Sequence, residues 1–373
     1  MKKLASAQEI IQAFEQFSPK SLAVEGDKIG LQVGTLNKRV RKVMVALDVL
    51  DEVVDEAIEE GVDLIIAHHP LIFRPIKKLI IDQGQGKIIT KLIKHDIAVY
   101  AAHTNLDVTN GGVNDLMADA LGLIDTEVLV PTYEDELKKF IVFVPEDHAQ
   151  IIREVLGTAG AGHIGNYSHC TYNTNGMGTF LPGEQTDPFI GTKGKIEEVN
   201  EVKIETIVPR SKIKAVVSAM LKAHPYEEPA YDILPLENKG QVLGLGRIGL
   251  LQEPMTLSDF AKHVKQSFDV KGVRVVGSLD SIVKKVAVLG GDGNKYWQSA
   301  KFKGADVYVT GDMYYHVAHD AMMENLNIVD PGHNVEKVMK EGVRNILQTF
   351  IEEKKYETLI TTSKLNTDPF QFV

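Results

Sequence analysis

Two histidines, His68 and His69, stand side by side where the apolar run "DLIIA" (63–67) stops, and Pro70 follows them. Imidazole nitrogens ligate metals and carry protons near neutral pH. Successive side chains of a strand point to opposite faces, so a strand that ends at the pair can aim each ring separately. Residues of the same chemistry follow other apolar runs. "IAVYAA" (97–102) precedes "HTNLD", with His103 and Asp107. "ADVYV" (305–309) precedes "TGDMYYH", with Asp312 and His316, and "NIVD" (327–330) precedes "PGHNVEKV", with His333 and Glu336. Asp48 follows "RKVMVAL" (41–47), and the loop "GGDGN" (290–294) follows "VKKVAVL". In open α/β sheets, ligands collect outside the carboxyl ends of the strands. The recurrence therefore reads as one shared site built from both ends of the chain.

Imidazole and carboxylate together suit zinc, iron or manganese. His333 and Glu336 share one face if a helix starts after Pro331 and Gly332. Adjacent His68 and His69 diverge, which lets each serve a different ion of a pair with a carboxylate between them. Two-metal sites of this kind bind phosphate-type oxygens and generate hydroxide from water. Each motif alone has a plainer reading. "HTNLD" is good turn chemistry, and "HNVE" is ordinary polarity for a helix start. His103, His316 and His319 read as hydrogen-bond partners of ligands or as substrate contacts. Asp48, Asp312 and Asp330 read as turn or cap residues. "GLGRIG" (244–249) matches a dinucleotide-binding pattern but lacks the helix that must follow, so its glycines belong to a twisted strand or bulge. "GGDGN" is either a phosphate cradle or a tight turn.

The elements that must position these residues alternate strand and helix at both ends of the chain, the pattern of an α/β domain with a largely parallel sheet covered on both faces. The middle reads differently: strand 137–145, helix from Glu146 to about Ala159, β-like pieces over 167–180, strand 201–209, helix 210–225 and strand 229–236. That β-α-β-β-α-β order is ferredoxin-like. The expected architecture is a split three-layer α/β domain (1–126 and 241–373) with an inserted ferredoxin-like α+β domain (127–240). At 373 residues the chain is long enough for two domains. A net charge of −10 without any Lys/Arg-rich block argues against nucleic acid as a partner. No apolar run approaches a membrane span, and Cys170 is the only cysteine, which together suggest a cytoplasmic protein.

"DKIGLQVG" (27–34), "AHHP" (67–70), "AAHTNLD" (101–107), "VYVTGD" (307–312) and "GHNVE" (332–336) together resemble a dinuclear-metal-centre family whose members are often named GTP cyclohydrolase I type 2 (YbgI/YqfO-like). "AHPYEEPAYDI" (223–233) resembles its longer branch, whose extra domain is similar to PII and CutA proteins. The resemblance implies two divalent metal ions per chain, zinc foremost with iron or manganese as the alternatives. It implies His68, His69, Asp107, His333 and Glu336 as their ligands, with Glu336 bridging. It also implies a toroidal homohexamer with the sites facing an internal cavity.

Two functions follow as expectations. One is a metal-dependent hydrolase acting on a nucleotide or phosphoester, with His103 or His316 as proton carrier. The other is a non-catalytic metal-binding regulatory or adaptor protein whose inserted domain senses a ligand. GTP ring opening in particular commonly uses a zinc held partly by cysteine, and the single cysteine lies in the insert.

Overall fold

The structure, a computed structural model, describes residues 3–373. Its strands, in chain order, are β1 (Gly30–Val33), β2 (Lys42–Ala46), β3 (Leu64–Ala67), β4 (Ala98–Ala101), β5 (Ile124–Pro145), β6 (Tyr172–Phe180), β7 (Glu197–Pro209), β8 (Tyr231–Thr256), β9 (Arg274–Val276), β10 (Ile282–Asp292), β11 (Val307–Gly311), β12 (Asn327–Asp330) and β13 (Leu359–Thr362). Two units result: one runs up to Tyr133 and resumes at Leu243, and the other is Glu134–Val242.

The first unit holds two sheets where the alternation alone suggested one. The first sheet has the order β1-β4-β3-β2-β13, with β1 antiparallel to β4 and every other pair parallel. β3 and β4 are buried at every position, because both faces are covered. Val43, Val45, Leu64 and Ile66 pack against helices Ala7–Phe17, Val113–Ala120 and Met339–Glu353. Met44, Ala46, Ile65 and Ala67 pack the opposite way, on helices Asp51–Glu59 and Gly84–Lys94. The period-two alternation of a strand sorts the residues between the two layers.

The second sheet of this unit has the order β5-β8-β10-β11-β12-β9. β10, β11 and β12 are parallel, whereas β8 and β9 pair antiparallel on either side of them. Val286, Val288, Val307, Val309 and Val329 join the same core as the inner face of the first sheet. Helices between the sheets are therefore shared, and each sheet is the centre of an α/β/α sandwich. "GLGRIG" lies inside β8, as a strand and not a nucleotide turn. Gly246 takes a φ of +67° there, a conformation that favours glycine. Arg247 is buried and gives two hydrogen bonds to Asp115, at 2.5 and 2.7 Å.

In the Glu134–Val242 unit the sheet order is β6-β7-β5-β8, with β7 antiparallel to both β5 and β6. Helices Ala149–Thr158 and Ile213–Ala223 contribute Ile152, Leu156, Val216 and Met220 to a core with Phe140, Val142, Val144, Val202 and Ile204. Strand, helix, strand, strand, helix, strand is the order along the chain.

Candidate metal centre

Every cluster residue sits just past a strand end, because that is where the backbone leaves the ladder and side chains can turn inward. The pairing with β2 runs on for two residues beyond β3: the amides of His68 and His69 donate to the carbonyls of Ala46 and Leu47 at 3.1 and 2.9 Å. Pro70 has no amide to continue it. The His68 ring is fully buried, while that of His69 is partly open, and the ring centroids stand 5.0 Å apart. After β4, a short helix (Thr104–Val108) presents Asp107, which is 8% exposed. After β12, Gly332 turns the chain at φ +86° into a 3₁₀ helix, His333–Val338. Residues three apart eclipse in that geometry. His333 Nε2 and Glu336 Oε2 therefore come within 3.2 Å of each other.

The buried carboxylate of Glu336 is the common point. Its Oε2 lies 3.0 Å from His69 Nε2, 3.2 Å from His333 Nε2 and 3.7 Å from His68 Nε2. Asp107 Oδ1 lies 3.6 Å from His68 Nε2. Two groups with metal-ligand spacing share Glu336: His68, Asp107 and Glu336, and His69, His333 and Glu336. A third joins His68, His69 and His103. The structure thus brings together all five of the residues expected as ligands.

Each of the three histidines facing Glu336 has its Nδ1 tied to an oxygen. His68 Nδ1 donates to the carbonyl of Ala102 at 2.8 Å. His69 pairs with Asp48 Oδ1 at 2.7 Å, and His333 with Asp312 Oδ2 at 2.7 Å. An imidazole held this way keeps its Nε2 lone pair for a cation. His68 Nε2 and Asp107 Oδ1 are buried and make no hydrogen bond. Leaving two such atoms uncompensated is costly. A divalent cation bound by the same atoms removes that cost, so the residues present fit a metal.

The charges agree. Burial opposes charge on His69, yet Asp48 and Glu336 overcome it and raise the ring to about 10. Burial likewise opposes charge on His333, but Glu336 and Asp312 raise it to about 9. Burial drives Asp107 up to about 6. Glu336 is held well below the usual carboxylate range: burial works the other way, and the surrounding imidazoles outweigh it. The His69 and His333 rings hold protons where a metal ion would supply the positive charge instead.

The cluster opens on a cleft of about 1130 Å³ lined in part by His69, His103, Asp107, Asp312, His333 and Glu336. His103 presents its ring 5.3 Å from that of His68, and its Nδ1 is 2.8 Å from Asp27 Oδ1. His316 is not brought in. It sits exposed on helix Tyr315–Met323 with its ring edge-on to Tyr315, outside the residues lining the cleft. The turn at Asp312 (φ +55°) sends Asp312 to the cluster and the following helix elsewhere.

Asp48 and Asp312 are histidine partners and not mere turn formers, whereas Asp330 does act as a turn residue, accepting from the amides of Met313 and Gly332 at 2.9 and 2.8 Å. Asp27 entered the sequence reading only as the first residue of "DKIGLQVG", and buried Asn114 carried no signal. Asn114 donates to the carbonyl of Asp107 at 2.9 Å and accepts from the amide of Gly290 at 3.0 Å, so it ties the two sheets' contributions together. That commitment of the Gly290 amide weakens the phosphate-cradle reading of "GGDGN". A Cβ at Gly290 or Gly291 would stand 2.9 or 2.8 Å from Glu336 Oε1. The glycines let the strand pass close to the carboxylate. One signal pointed to Asp48 and Asp312: a ligand histidine needs an acceptor for its other nitrogen, and a carboxylate at a neighbouring strand end is well placed to supply it.

The model of the Duf34/NIF3 (NGG1p interacting factor 3) family matches residues 5–369. A Halalkalibacterium halodurans protein named GTP cyclohydrolase 1 type 2 homolog is 62% identical over 371 residues, covering 100% of both chains. A Bacillus subtilis protein of the same name is 61% identical over 373 residues, again covering 100% of both. Among solved structures, a Bacillus cereus protein related to NIF3 is 65% identical with a TM-score of 0.95 over 100% of each chain. A Staphylococcus aureus protein is 34% identical with a TM-score of 0.77 over 99% of each chain. With a cluster of residues that could hold a metal at its strand ends and a match along almost its whole length, the chain belongs to the Duf34/NIF3 family.

Proposed function

We propose that this protein holds two divalent metal ions, zinc foremost, and hydrolyses a nucleotide or phosphoester in the cleft. The observation that carries the reading is the pair of ligand groups that share Glu336, with His68 and Asp107 on one side and His69 and His333 on the other. Metal ions held there would lower the pKa of water and neutralise charge on phosphoryl oxygens. The chain's own residues do the rest. Asp48, Asp312 and the carbonyl of Ala102 fix the three imidazoles so that each offers Nε2. Asp27 orients His103 through Nδ1, which leaves its Nε2 to take or give a proton at the cleft wall. The names of the curated relatives agree in kind with a nucleotide substrate.

The test is metal analysis of protein purified without added metal, followed by turnover of a nucleotide and phosphoester panel. Two metal equivalents and turnover lost in Glu336→Gln are expected. Full metal loading with no turnover of any panel member would leave the protein a metal-binding regulator instead.

A further inference from the structure

The Glu134–Val242 unit has a cavity of its own, of about 270 Å³. Its walls are aromatic and acidic. Phe180, Phe189 and Tyr226 line it, with the rings of Phe180 and Phe189 at 6.0 and 6.4 Å from that of Tyr226 and tilted by 56° and 54°. Adjacent rings at such angles form the corners of a box and not a stack. Glu201, Glu227 and Glu228 also line it, beside apolar Leu181, Pro182 and Ile190, and the lining contains no lysine, arginine or histidine. Among the described residues none of these three carboxylates is in an ion pair.

The "HPYEEP" stretch builds this box. Buried His224 donates from Nε2 to the carbonyl of Phe143 at 3.0 Å and accepts at Nδ1 from the amide of Tyr226 at 3.1 Å. That bridge pins the Tyr226 backbone at the cavity. The Tyr226 hydroxyl then donates to Glu201 Oε1 at 3.0 Å. Gly178 makes room for the carboxylate, since a Cβ there would stand 2.2 Å from Glu201 Oε2. Glu227 accepts from the amide of Asp187 at 3.0 Å and so ties down the segment that brings Phe189 into the lining.

Ring faces carry negative electrostatic potential, and carboxylates add to it. With no positive side chain to answer them, an anion is excluded and a neutral apolar ligand leaves the charge uncompensated. We propose that this cavity binds a small organic cation, an alkylammonium whose methyl or methylene groups pack on the three rings while its charge faces Glu201. The inference does not depend on the metal centre.

The experiment is titration calorimetry of the full-length protein with choline, butylammonium and the uncharged choline isostere 3,3-dimethylbutan-1-ol. Saturable binding of at least one ammonium at about 1 mM or tighter is expected, with the isostere weaker by roughly tenfold or more. Phe189→Ala, at an exposed position, is expected to weaken binding by a similar roughly tenfold factor and to leave metal content unchanged. Glu201→Gln should do the same. If neither ammonium saturates by about 10 mM, if the isostere binds equally well, or if Phe189→Ala has no effect, the proposal fails. Displacement of bound choline by phosphate would overturn it as well.

Discussion

At Asp48 and Asp312, replacement by asparagine keeps the shape but offers a neutral acceptor to the imidazole behind the ligand atom. Either Asp48→Asn or Asp312→Asn should weaken metal binding by roughly 10–100-fold with the fold intact, read by competition against a chromophoric chelator. Protons compete for the same nitrogens. His69 is raised to about 10 and His333 to about 9 without metal, so near neutral pH both rings are charged and must lose a proton to ligate. Metal uptake should therefore release protons, and affinity should climb with pH until about 10. Calorimetry in buffers of different ionisation enthalpy measures the release directly. The sign for stability is opposite. A histidine pKa raised by folding stabilises fully below its ordinary 6.5 and stops doing so as pH passes its folded value. Metal-free protein should accordingly lose thermal stability between pH 6.5 and 10.

Elements matter through the few places where one must pass close to another. Gly291 has a φ of +65°, and a Cβ there would stand 2.8 Å from Glu336 Oε1 and 3.2 Å from His333 Nε2. Gly291→Ala should cost about 1–3 kcal/mol through backbone strain, and metal content should fall more than urea unfolding would suggest. Asn114 is the tie between helix Val113–Ala120, Asp107 and β10. Asn114→Ala strands a part-buried amide and a buried carbonyl, an expected loss of about 1–3 kcal/mol in urea unfolding. Strand and helix placement was legible because fully apolar runs such as "DLIIA" and "IAVYAA" admit few other readings. Their grouping into two sheets was not, because an apolar strand packs equally well in either sheet and its partners are chosen by distant segments.

For the whole molecule, the chain leaves the first unit at β5 and returns on β8, which are neighbours in its second sheet. A chain lacking Glu134–Val242, with Tyr133 and Leu243 joined by a short turn, should still take up metal; loss of all metal binding would show that the centre needs the second unit. Phe73, Leu79, Ile80 and Ile81 are exposed by 47–61%, an apolar stretch that self-association would cover. The homohexamer expected by resemblance predicts a solution mass near six times 41.2 kDa. By itself the sequence determined which residues have metal-ligating side chains and that each follows a strand, since local periodicity and residue type are written in order along the chain. Only the tertiary structure decided that Glu336 meets three imidazoles, that Asp48 and Asp312 stand behind two of them, and that His316 stays away. Those are distances between segments as far apart in the chain as His68 and Glu336, and they depend on which sheet and which turn each segment enters.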